Sequence, residues 1–410
     1  MPTRTALISG AGVAGPTLAY WLLRAGVTPT VIEHAPGLRS GGYVIDFWGL
    51  GYDVAERMGL TDDLDRVGYR MREMRIVGEN GERLAGFGTS VLQELTGGRY
   101  VTVRRSDLAA LLMAKVADRC EAIFGDEIVS FAEDSEGVEV RFNRSAARRF
   151  DLVFGADGLH SRVRQLAFGP EDRFEIPLGY VAAAFEAEGY WPRDEDVFVI
   201  HNEPGAMVGR LALKDDMTLF LLVLVVEPGE AEDADGAPEQ KALLAARLAT
   251  MRWEATCIVS ALKATTNLYF DRVSQIRLER WSKGRIALVG DAAFCPSLLA
   301  GQGSALAMTA SYVLAGELAR CEAGYAQGFE RYEALLRPFL DAKQRGAKNL
   351  AVVFAPRTRL GLFFRNVLIR ATVIPGLSRL AFGREITDRL ILPQYDWNLS
   401  VRPAGLPADG

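Results

Sequence analysis

A glycine-rich stretch near the amino terminus has the residue types and spacing of a phosphate-binding turn. The stretch reads Gly10-Ala11-Gly12-Val13-Ala14-Gly15. In such turns the first glycine permits a tight bend, the second lets backbone amides approach a pyrophosphate, and the third lets the next helix pack closely on the preceding strand. Val13 and Ala14 lie where that helix opens, and its positively polarised end attracts phosphate groups. The spacing therefore predicts binding of a nucleotide diphosphate.

An acidic residue follows at a distance suited to ribose recognition. Glu33 ends the apolar segment that begins at Thr28, and His34 comes next. A carboxylate there can accept hydrogen bonds from both ribose hydroxyls, and it would repel a 2′-phosphate. The segments around the glycines read as a strand, a helix ending near Gly26 and a second strand, the unit that pairs two parallel strands. We predict bound FAD or NAD at this turn rather than NADPH, and a tight turn without a ligand is the alternative.

Two further motifs place an aspartate just after an apolar strand. Gly155-Ala156-Asp157-Gly158 precedes a basic helix, and Gly290-Asp291-Ala292-Ala293 is followed by Gly301-Gln302-Gly303-Ser304 at the start of the next helix. Open α/β sheets bind ligands at the carboxyl ends of their strands, so Asp157 and Asp291 are candidate ligand contacts. The backbone amides from Gly301 to Ser304 would aim the positive end of a helix at an anionic ligand. Ordinary strand-to-helix turns are the alternative for both motifs.

The three motifs, in this order and spacing, resemble those of the group A flavoprotein monooxygenases, the aromatic hydroxylase family that includes para-hydroxybenzoate hydroxylase and the tetracycline-inactivating monooxygenases. The resemblance extends from Thr5 to about Arg320. It implies that FAD lies extended along a Rossmann-like domain, below a β-sheet substrate domain. It also implies these contacts: Gly10, Gly12 and Gly15 at the diphosphate, Glu33 at the adenosine ribose, Asp157 with Gly158 at FAD and NAD(P)H, and Asp291 at the ribityl chain and diphosphate.

More positions carry over from the family, and two depart from it. The segment Arg39-Ser40-Gly41-Gly42-Tyr43-Val44-Ile45-Asp46 is similar to one in tetracycline-inactivating enzymes, which implies that Arg39 serves NADPH and Asp46 serves FAD. Arg105 is similar to the family's FAD-contacting arginine. Phe294 stands where the family usually has histidine, and Leu298 stands where it commonly has proline. Both departures lie close to where oxygen would react.

The activity of the family supplies the functional prediction. There, reduced flavin and dioxygen form a C4a-hydroperoxide that transfers oxygen to an electron-rich substrate. The resemblance thus implies an FAD-dependent, NAD(P)H-consuming hydroxylase of an aromatic or polyketide-like small molecule, with no metal required. We predict no catalytic residue. Among the three histidines only His201 falls in the predicted substrate domain, and a single histidine is more often structural than catalytic.

Three other functions stay open at this point. The region from Arg331 to Ser400 has 12 basic and 5 acidic residues, which favours a membrane-associated flavin reductase or epoxidase of a prenyl or quinone lipid. Solvated helix faces explain the same charges. Phe294 and Leu298 favour a cyclase that holds FAD without redox turnover. A plain NAD dehydrogenase leaves the second and third motifs unexplained.

Composition limits the partners and the location. The chain has 410 residues, and 52 acidic against 47 basic residues give a net charge of −5, which offers no electrostatic footprint for nucleic acid. No signal-like segment precedes the first strand, and arginines and a proline interrupt the most apolar tract, so we expect a cytoplasmic protein without stable membrane association. Four scattered cysteines indicate neither zinc nor disulfides. The expected partners are a small-molecule substrate and dioxygen, and the expected state is a monomer or homodimer.

The patterns and the resemblance together predict an α/β fold class: a Rossmann-like FAD-binding domain of the para-hydroxybenzoate hydroxylase fold, an inserted β-sheet substrate domain and carboxy-terminal helices. We expect Glu227–Glu239 to be a polar surface loop. The FAD-binding domain is predicted in three parts, 1–73, 101–175 and 281–330. The substrate domain is predicted over 74–100 and 176–280, followed by a helical region over 331–410.

Overall fold

The computed structural model describes residues 4–38, 41–89, 93, 96–234, 236–321, 324–371, 388 and 390–397. Its strands, in chain order, are Thr5–Ser9 (β1), Thr28–Glu33 (β2), Val44–Trp48 (β3), Glu73–Val77 (β4), Arg83–Gly88 (β5), Tyr100–Arg104 (β6), Glu121–Phe124 (β7), Ile128–Glu133 (β8), Val138–Phe142 (β9), Arg148–Phe150 (β10), Leu152–Gly155 (β11), Glu175–Glu188 (β12), Val197–Glu203 (β13), Ala206–Ala212 (β14), Met217–Val225 (β15), Leu268–Ile276 (β16), Ser282–Lys283 (β17) and Ile286–Leu288 (β18).

The α-helices, in chain order, are Ala14–Arg24 (α1), Leu50–Arg57 (α2), Thr61–Val67 (α3), Arg105–Ala114 (α4), Arg162–Phe168 (α5), Ala237–Ala249 (α6), Ala255–Ala264 (α7), Asp291–Phe294 (α8), Gly303–Arg320 (α9), Tyr325–Phe354 (α10) and Arg359–Ala371 (α11). A short 3₁₀ helix at Leu298–Ala300 precedes α9. Within the described ranges, no helix combines the length and the apolar character needed to cross a bilayer.

A six-stranded sheet forms the first layer, in the order β17-β18-β11-β1-β2-β7. All its neighbouring pairs are parallel except the β17–β18 pair at one edge. Ala6–Ser9 of β1 are buried, as expected for a central parallel strand that is covered on both faces. α1 connects β1 to β2 and buries Leu18, Trp21 and Leu22. This strand–helix–strand unit is the one that the glycine motif predicted.

A seven-stranded sheet, in the order β16-β12-β15-β14-β13-β4-β5, forms a second layer. Successive side chains along each strand point to opposite sides. On one side the core packs against α6 and α7, and it includes Val181, Ala183, Phe185, Phe220, Leu244, Leu248, Ile258 and Leu262. On the other side the core packs against the 3₁₀ helix and α11, and it includes Ala182, Ile200, Val223, Leu299 and Ile369. The predicted α/β class with a separate sheet is confirmed.

Two helices interrupt the region that the sequence predicted as sheet and loop. α6 begins at Ala237, inside the expected loop Glu227–Glu239, and Glu230 of that segment pairs with Arg247 of α6 at 2.7 Å. The prediction of a purely polar loop was therefore wrong at its carboxyl end. The cause is tertiary: Leu244 and Leu248 give α6 an apolar face that the sheet buries.

The carboxy-terminal region is helical in part. α10 and α11 are helices, whereas residues 390–397 have no regular secondary structure and pack on the first layer. The Trp397 ring centroid lies 4.7 Å from that of Trp21 and 5.7 Å from that of Tyr312. The Leu50 amide donates a hydrogen bond to Asp388 (3.1 Å). The predicted helical region over 331–410 thus includes a non-helical segment that braces α1, α2 and α9.

Candidate functional site

The glycine-rich turn after β1 leaves no room for side chains at two of its glycines. Gly10 has a φ of +108°, and a Cβ atom there would lie 2.4 Å from the Ala156 carbonyl oxygen. A Cβ atom on Gly15 would lie 1.9 Å from the Gly10 carbonyl oxygen. Val13 stands at the N-cap of α1 without a side-chain capping bond, and Ala14 is the first helical residue. The first amides of α1 are therefore available to an anion.

Glu33 holds the turn from the end of β2. One carboxylate oxygen accepts a hydrogen bond from the Ala11 amide (2.9 Å), and the other accepts one from the Ala35 amide (3.0 Å). His34 is exposed, and its Nδ1 lies 2.9 Å from Glu33 Oε1. An ionised carboxylate has further lone pairs beyond these two bonds. Glu33 is thus oriented by the backbone and can still accept bonds from hydroxyl groups.

The second motif is a brace between strands. Asp157 accepts hydrogen bonds from the Ser9 hydroxyl (3.2 Å), the Ser161 hydroxyl (2.5 Å) and the Val163 amide (3.0 Å). Burial raises the pKa of Asp157, and these hydrogen bonds oppose that rise. Gly158 adopts a φ of +80° and completes the turn. The motif therefore ties β1 to the start of α5 through bonds within the protein.

A buried arginine connects the second motif to the third. The Arg164 side chain is fully buried, and it donates hydrogen bonds to the carbonyl oxygens of Leu159 (2.6 Å) and Ala292 (3.2 Å). It also pairs with Glu171 at 2.7 Å. Desolvation lowers the pKa of Arg164, and Glu171 is the largest opposing influence. A buried arginine held this way fixes the distance between the two strand ends.

The third motif contacts the first directly. Gly290 has a φ of +67°, and a Cβ atom there would lie 3.2 Å from the Ala14 Cβ atom. Asp291 begins α8, and its carboxylate oxygens lie 3.6 and 3.9 Å from the place where a Cβ atom on Gly303 would be. Burial raises the pKa of Asp291, and Arg105 opposes the rise. Asp291 therefore stands beside the amino terminus of α9, near Gly301, Gln302 and Ser304.

Arg105, the first residue of α4, lies among the three motifs. Its Nη2 atom is 3.6 Å from the place where a Cβ atom on Gly12 would be. Tyr43 is the largest influence that raises the pKa of Arg105, and Asp291 and Glu33 act in the same direction against burial. Arg105 is thus a cation between the glycine turn and Asp291, where an anionic ligand would be stabilised.

Comparison with known proteins decides the family. The model of the family described as FAD binding domain matches residues 3–343. A flavin-dependent monooxygenase from an unspecified prokaryote is 33% identical over 400 residues, which cover 95% of this chain and 98% of the relative. This chain belongs to the flavin-dependent monooxygenases. It is an oxidoreductase with a FAD-binding domain.

Solved structures agree with this assignment. The crystal structure of tetracycline destructase Tet(51) matches with a TM-score of 0.81 and 28% identity, over 96% of this chain and all of that one. A single-residue variant of Klebsiella pneumoniae HpxO, complexed with FAD, matches with a TM-score of 0.77 over 94% of this chain and all of that one. At 22% identity the HpxO match shows the fold alone. The resemblance to group A monooxygenases is confirmed.

Two other positions were predicted to contact the cofactors: Asp46 lies on β3, and Arg39 belongs to the residues that the structure does not describe. Asp46 accepts hydrogen bonds from the hydroxyls of Tyr100 and Thr102, both at 2.6 Å, across the β3–β6 pair. Burial raises the pKa of Asp46, and the two hydroxyl bonds oppose that rise. Arg39 lies outside the described residues. The predicted cofactor roles of these residues stay predictions.

Three aromatic residues near the motifs were not predicted. The Tyr43 and Tyr269 ring centroids are 5.1 Å apart, and both side chains interact electrostatically with Arg105. A Cβ atom on Gly301 would lie 4.0 Å from the Trp48 ring. Among the described residues the Trp48 indole Nε1 is buried without a hydrogen-bond acceptor. Trp48 follows Asp46 by two residues on β3, and this strand alternation was the available signal.

The two departures from the family pattern have different surroundings. Phe294 is buried and packs against Trp281 with ring centroids 5.0 Å apart. Leu298 is half-buried and belongs to the cluster that contains Leu299 and Ile200 of the seven-stranded sheet. Phe294 is therefore a core residue, whereas Leu298 begins the 3₁₀ helix and packs against that sheet.

The other two histidines, His201 and His160, lie in different parts of the enzyme. His201 lies 3.2 Å from the Val77 carbonyl oxygen and packs on Trp253, on the opposite sheet face from Ile200. His160 is half exposed; its Nδ1 is 2.9 Å from Glu171 and its Nε2 is 3.1 Å from Asp271 of β16. These two carboxylates, Asp271 first, raise the pKa of His160 to about 10. His160 is thus a cationic link between the second motif and the seven-stranded sheet.

Proposed function

We propose that this monooxygenase uses NAD(P)H as its reductant and hydroxylates an aromatic or polyketide-like small molecule. The observation that carries the proposal is the convergence of Gly12, Arg105 and Asp291 beside the amino termini of α1 and α9. Two helix ends and one arginine suit the diphosphate of FAD and the negative charge that its ring gains on reduction. We also propose the predicted division into a three-part FAD-binding domain and a two-part substrate domain.

The residues at the motifs suit FAD. The amides of the glycine turn would bind its diphosphate, Glu33 would accept bonds from the adenosine ribose, and Asp291 would accept them from the ribityl chain. When bound and reduced, FAD supplies the activation of dioxygen and the oxygen transfer. The second motif also braces the site in this proposal, since Asp157 bonds to the end of β1 and Arg164 bonds to Ala292 after β18. Its contact with FAD and NAD(P)H through Asp157 and Gly158 is part of the proposal.

We assign the seven-stranded sheet to the substrate domain and call it the substrate sheet. Its composition suits a largely apolar molecule. Ala182 and Ala184 are small residues on the side of β12 that faces the 3₁₀ helix. Tyr43 and Tyr269 approach the same side, where aromatic rings can stack on a planar substrate. Leu298 and Leu299 add apolar surface and help to exclude water from the reaction. The apolar and aromatic side chains on this side favour an aromatic or polyketide-like substrate over a highly charged one.

Turnover with labelled dioxygen tests the proposal. The FAD-loaded enzyme is incubated with NADPH or NADH and a panel of phenolic and polyketide compounds. We expect at least one compound to accelerate reductant oxidation and to gain one labelled oxygen atom. Colourless protein that stays colourless with excess FAD would refute cofactor binding. Yellow protein that incorporates no label across the panel would refute the hydroxylase.

The structure reduces the case for the non-redox cyclase. That alternative depended on Phe294 and Leu298 replacing family residues near the flavin. Phe294 packs in the core against Trp281, and Leu298 packs with Leu299 against the seven-stranded sheet. A FAD-dependent rearrangement without consumption of reductant would be the result that restores it.

A further inference from the structure

The outer side of α11 carries an apolar stripe that no described residue covers. Its members follow the spacing i, i+3, i+4, i+7, i+8, which places them on one helix face. They are Leu360, Phe363, Phe364, Val367 and Leu368, with exposed fractions between 46% and 65%. In a globular protein a stripe of this spacing normally faces a core. Contiguous exposed apolar patches mark interaction sites.

The opposite side of α11 is fixed to the protein, so the stripe faces outward. Ile369 is buried in the cluster on the substrate sheet that contains Leu299. Arg365 donates a hydrogen bond to the Asn202 side chain of β13 (2.9 Å). Desolvation lowers the pKa of Arg365 to about 10, as expected for a guanidinium on the buried side of the helix. Rotating the stripe inward would break these contacts.

The segment of the chain that contains the stripe is strongly basic. Residues 342–384 contain nine Lys and Arg and no Asp or Glu, in a chain whose net charge is −5. Arg357, Arg359 and Arg370 are exposed at or beside α11. Arg359 and Arg370 are about three helical turns apart, so both flank the stripe along the same edge.

We propose that the outer face of α11 docks on an anionic phospholipid bilayer, with the helix lying in the plane of the interface. Exposed apolar side chains flanked by arginines are the two features that bind amphipathic helices to anionic lipids. The 13-residue helix is about 20 Å long, shorter than the roughly 30 Å of a hydrocarbon core, so it lies on the membrane and does not span it.

The arginines beside the stripe favour an anionic bilayer over a second copy of the chain as its partner. Self-association through α11 would place the arginines of one copy near those of the other, and like charges repel. Anionic headgroups neutralise the same arginines. The proposal goes beyond the proposed function, and it connects the membrane-facing helix to the substrate sheet through Ile369. It also revises the expectation of no stable membrane association.

Vesicle flotation of the FAD-loaded full-length protein tests the proposal. The vesicles are phosphatidylcholine alone, or phosphatidylcholine and phosphatidylglycerol in equal parts. We expect flotation with the anionic vesicles and little with the neutral ones. The double variant Phe363→Ser/Phe364→Ser should bind anionic vesicles at least tenfold more weakly, and Arg359→Glu should weaken binding in the same direction. Trp191→Ser is the matched control, because Trp191 is 78% exposed elsewhere on the surface.

Three results would overturn the proposal. Equal flotation with neutral and anionic vesicles would show that the arginines do not contribute to binding. Light scattering that shows a dimer of the wild-type chain and a monomer of the double variant would assign the stripe to a second copy. A double variant that melts well below wild type, with unchanged flotation, would show that the chain itself covers the stripe. None of these readouts requires turnover, so they are independent of the hydroxylase test.

Discussion

Replacing Gly15 with alanine should weaken FAD binding, because the added methyl group would overlap the Gly10 carbonyl oxygen. Its Cβ would lie 1.9 Å from the Gly10 carbonyl oxygen and 3.4 Å from an Ile8 methyl group. Real contacts of this kind are at least 3.0 Å long, so the turn and α1 must move apart by about 1 Å. Overpacking of this size costs about 1–3 kcal/mol.

The displaced element is the one whose amides would meet the diphosphate. If most of that cost falls on the bound state, the dissociation constant of FAD rises about 10- to 100-fold, since each 1.4 kcal/mol is about a factor of ten. Apoprotein titrated with FAD, followed by flavin fluorescence, measures this change. Gly37→Ala is the matched control, because a Cβ there meets no atom within 4 Å. A Gly15→Ala variant with wild-type affinity would refute the assignment of the turn.

Three more predictions concern residues around the motifs. Asp291→Asn removes the charge beside Arg105 at nearly constant volume, and it should weaken FAD binding about tenfold in the same titration; unchanged affinity would contradict its role. Arg164→Met leaves Glu171 without its buried partner and should lower the free energy of unfolding in urea by about 3–5 kcal/mol; a loss below about 1 kcal/mol would show that the brace is dispensable. His160 has a pKa raised to about 10 from 6.5, so its pairing stabilises the fold fully below pH 6.5 and loses this effect as the pH rises toward 10. With the side chain half exposed, the effect should be about 1 kcal/mol or less, and the stability difference between wild type and His160→Gln should shrink from pH 6.5 to pH 10; a difference independent of pH would contradict the ion pair.

Sequence patterns predicted the first layer well because the contacts that shape its glycine turn join residues that are close together in the sequence. The close packing of Gly15 on Gly10 and the bond from the Ala11 amide to Glu33 are both set within about thirty residues, and the structure has each one where the spacing indicated. The same reasoning failed for α6 and α7. Their Leu244 and Ile258 are buried by a sheet whose strands are distant in sequence, and no local signal announced that surface.

The bracing hydrogen bonds of Asp157 could not be predicted from its own motif, and its predicted contact with FAD and NAD(P)H stays a prediction. A strand-end aspartate can meet a ligand or hold the protein together, and the choice depends on neighbours that are far apart in sequence. Ser9 lies 148 residues before Asp157, and its hydroxyl donates to the carboxylate. Tyr269 was missed for the same reason, since its proximity to the motifs depends on the pairing of β16 rather than on any pattern along the chain.

The order of strands explains why four separate sequence signals make one site. In the first layer β18, β11, β1 and β2 are consecutive neighbours, all parallel, so their carboxyl ends lie along one edge. The third motif, the second motif, the glycine turn and Glu33 follow these four strands in that spatial order. The second motif therefore stands between the two elements that would contact FAD, and a group in that position is well placed to set their separation. This is what Asp157 and Arg164 do: Asp157 binds Ser9 at the end of β1, and Arg164 binds Ala292 just after β18. The sequence marks each strand end, but only the strand order shows that the second motif braces the elements on its two sides.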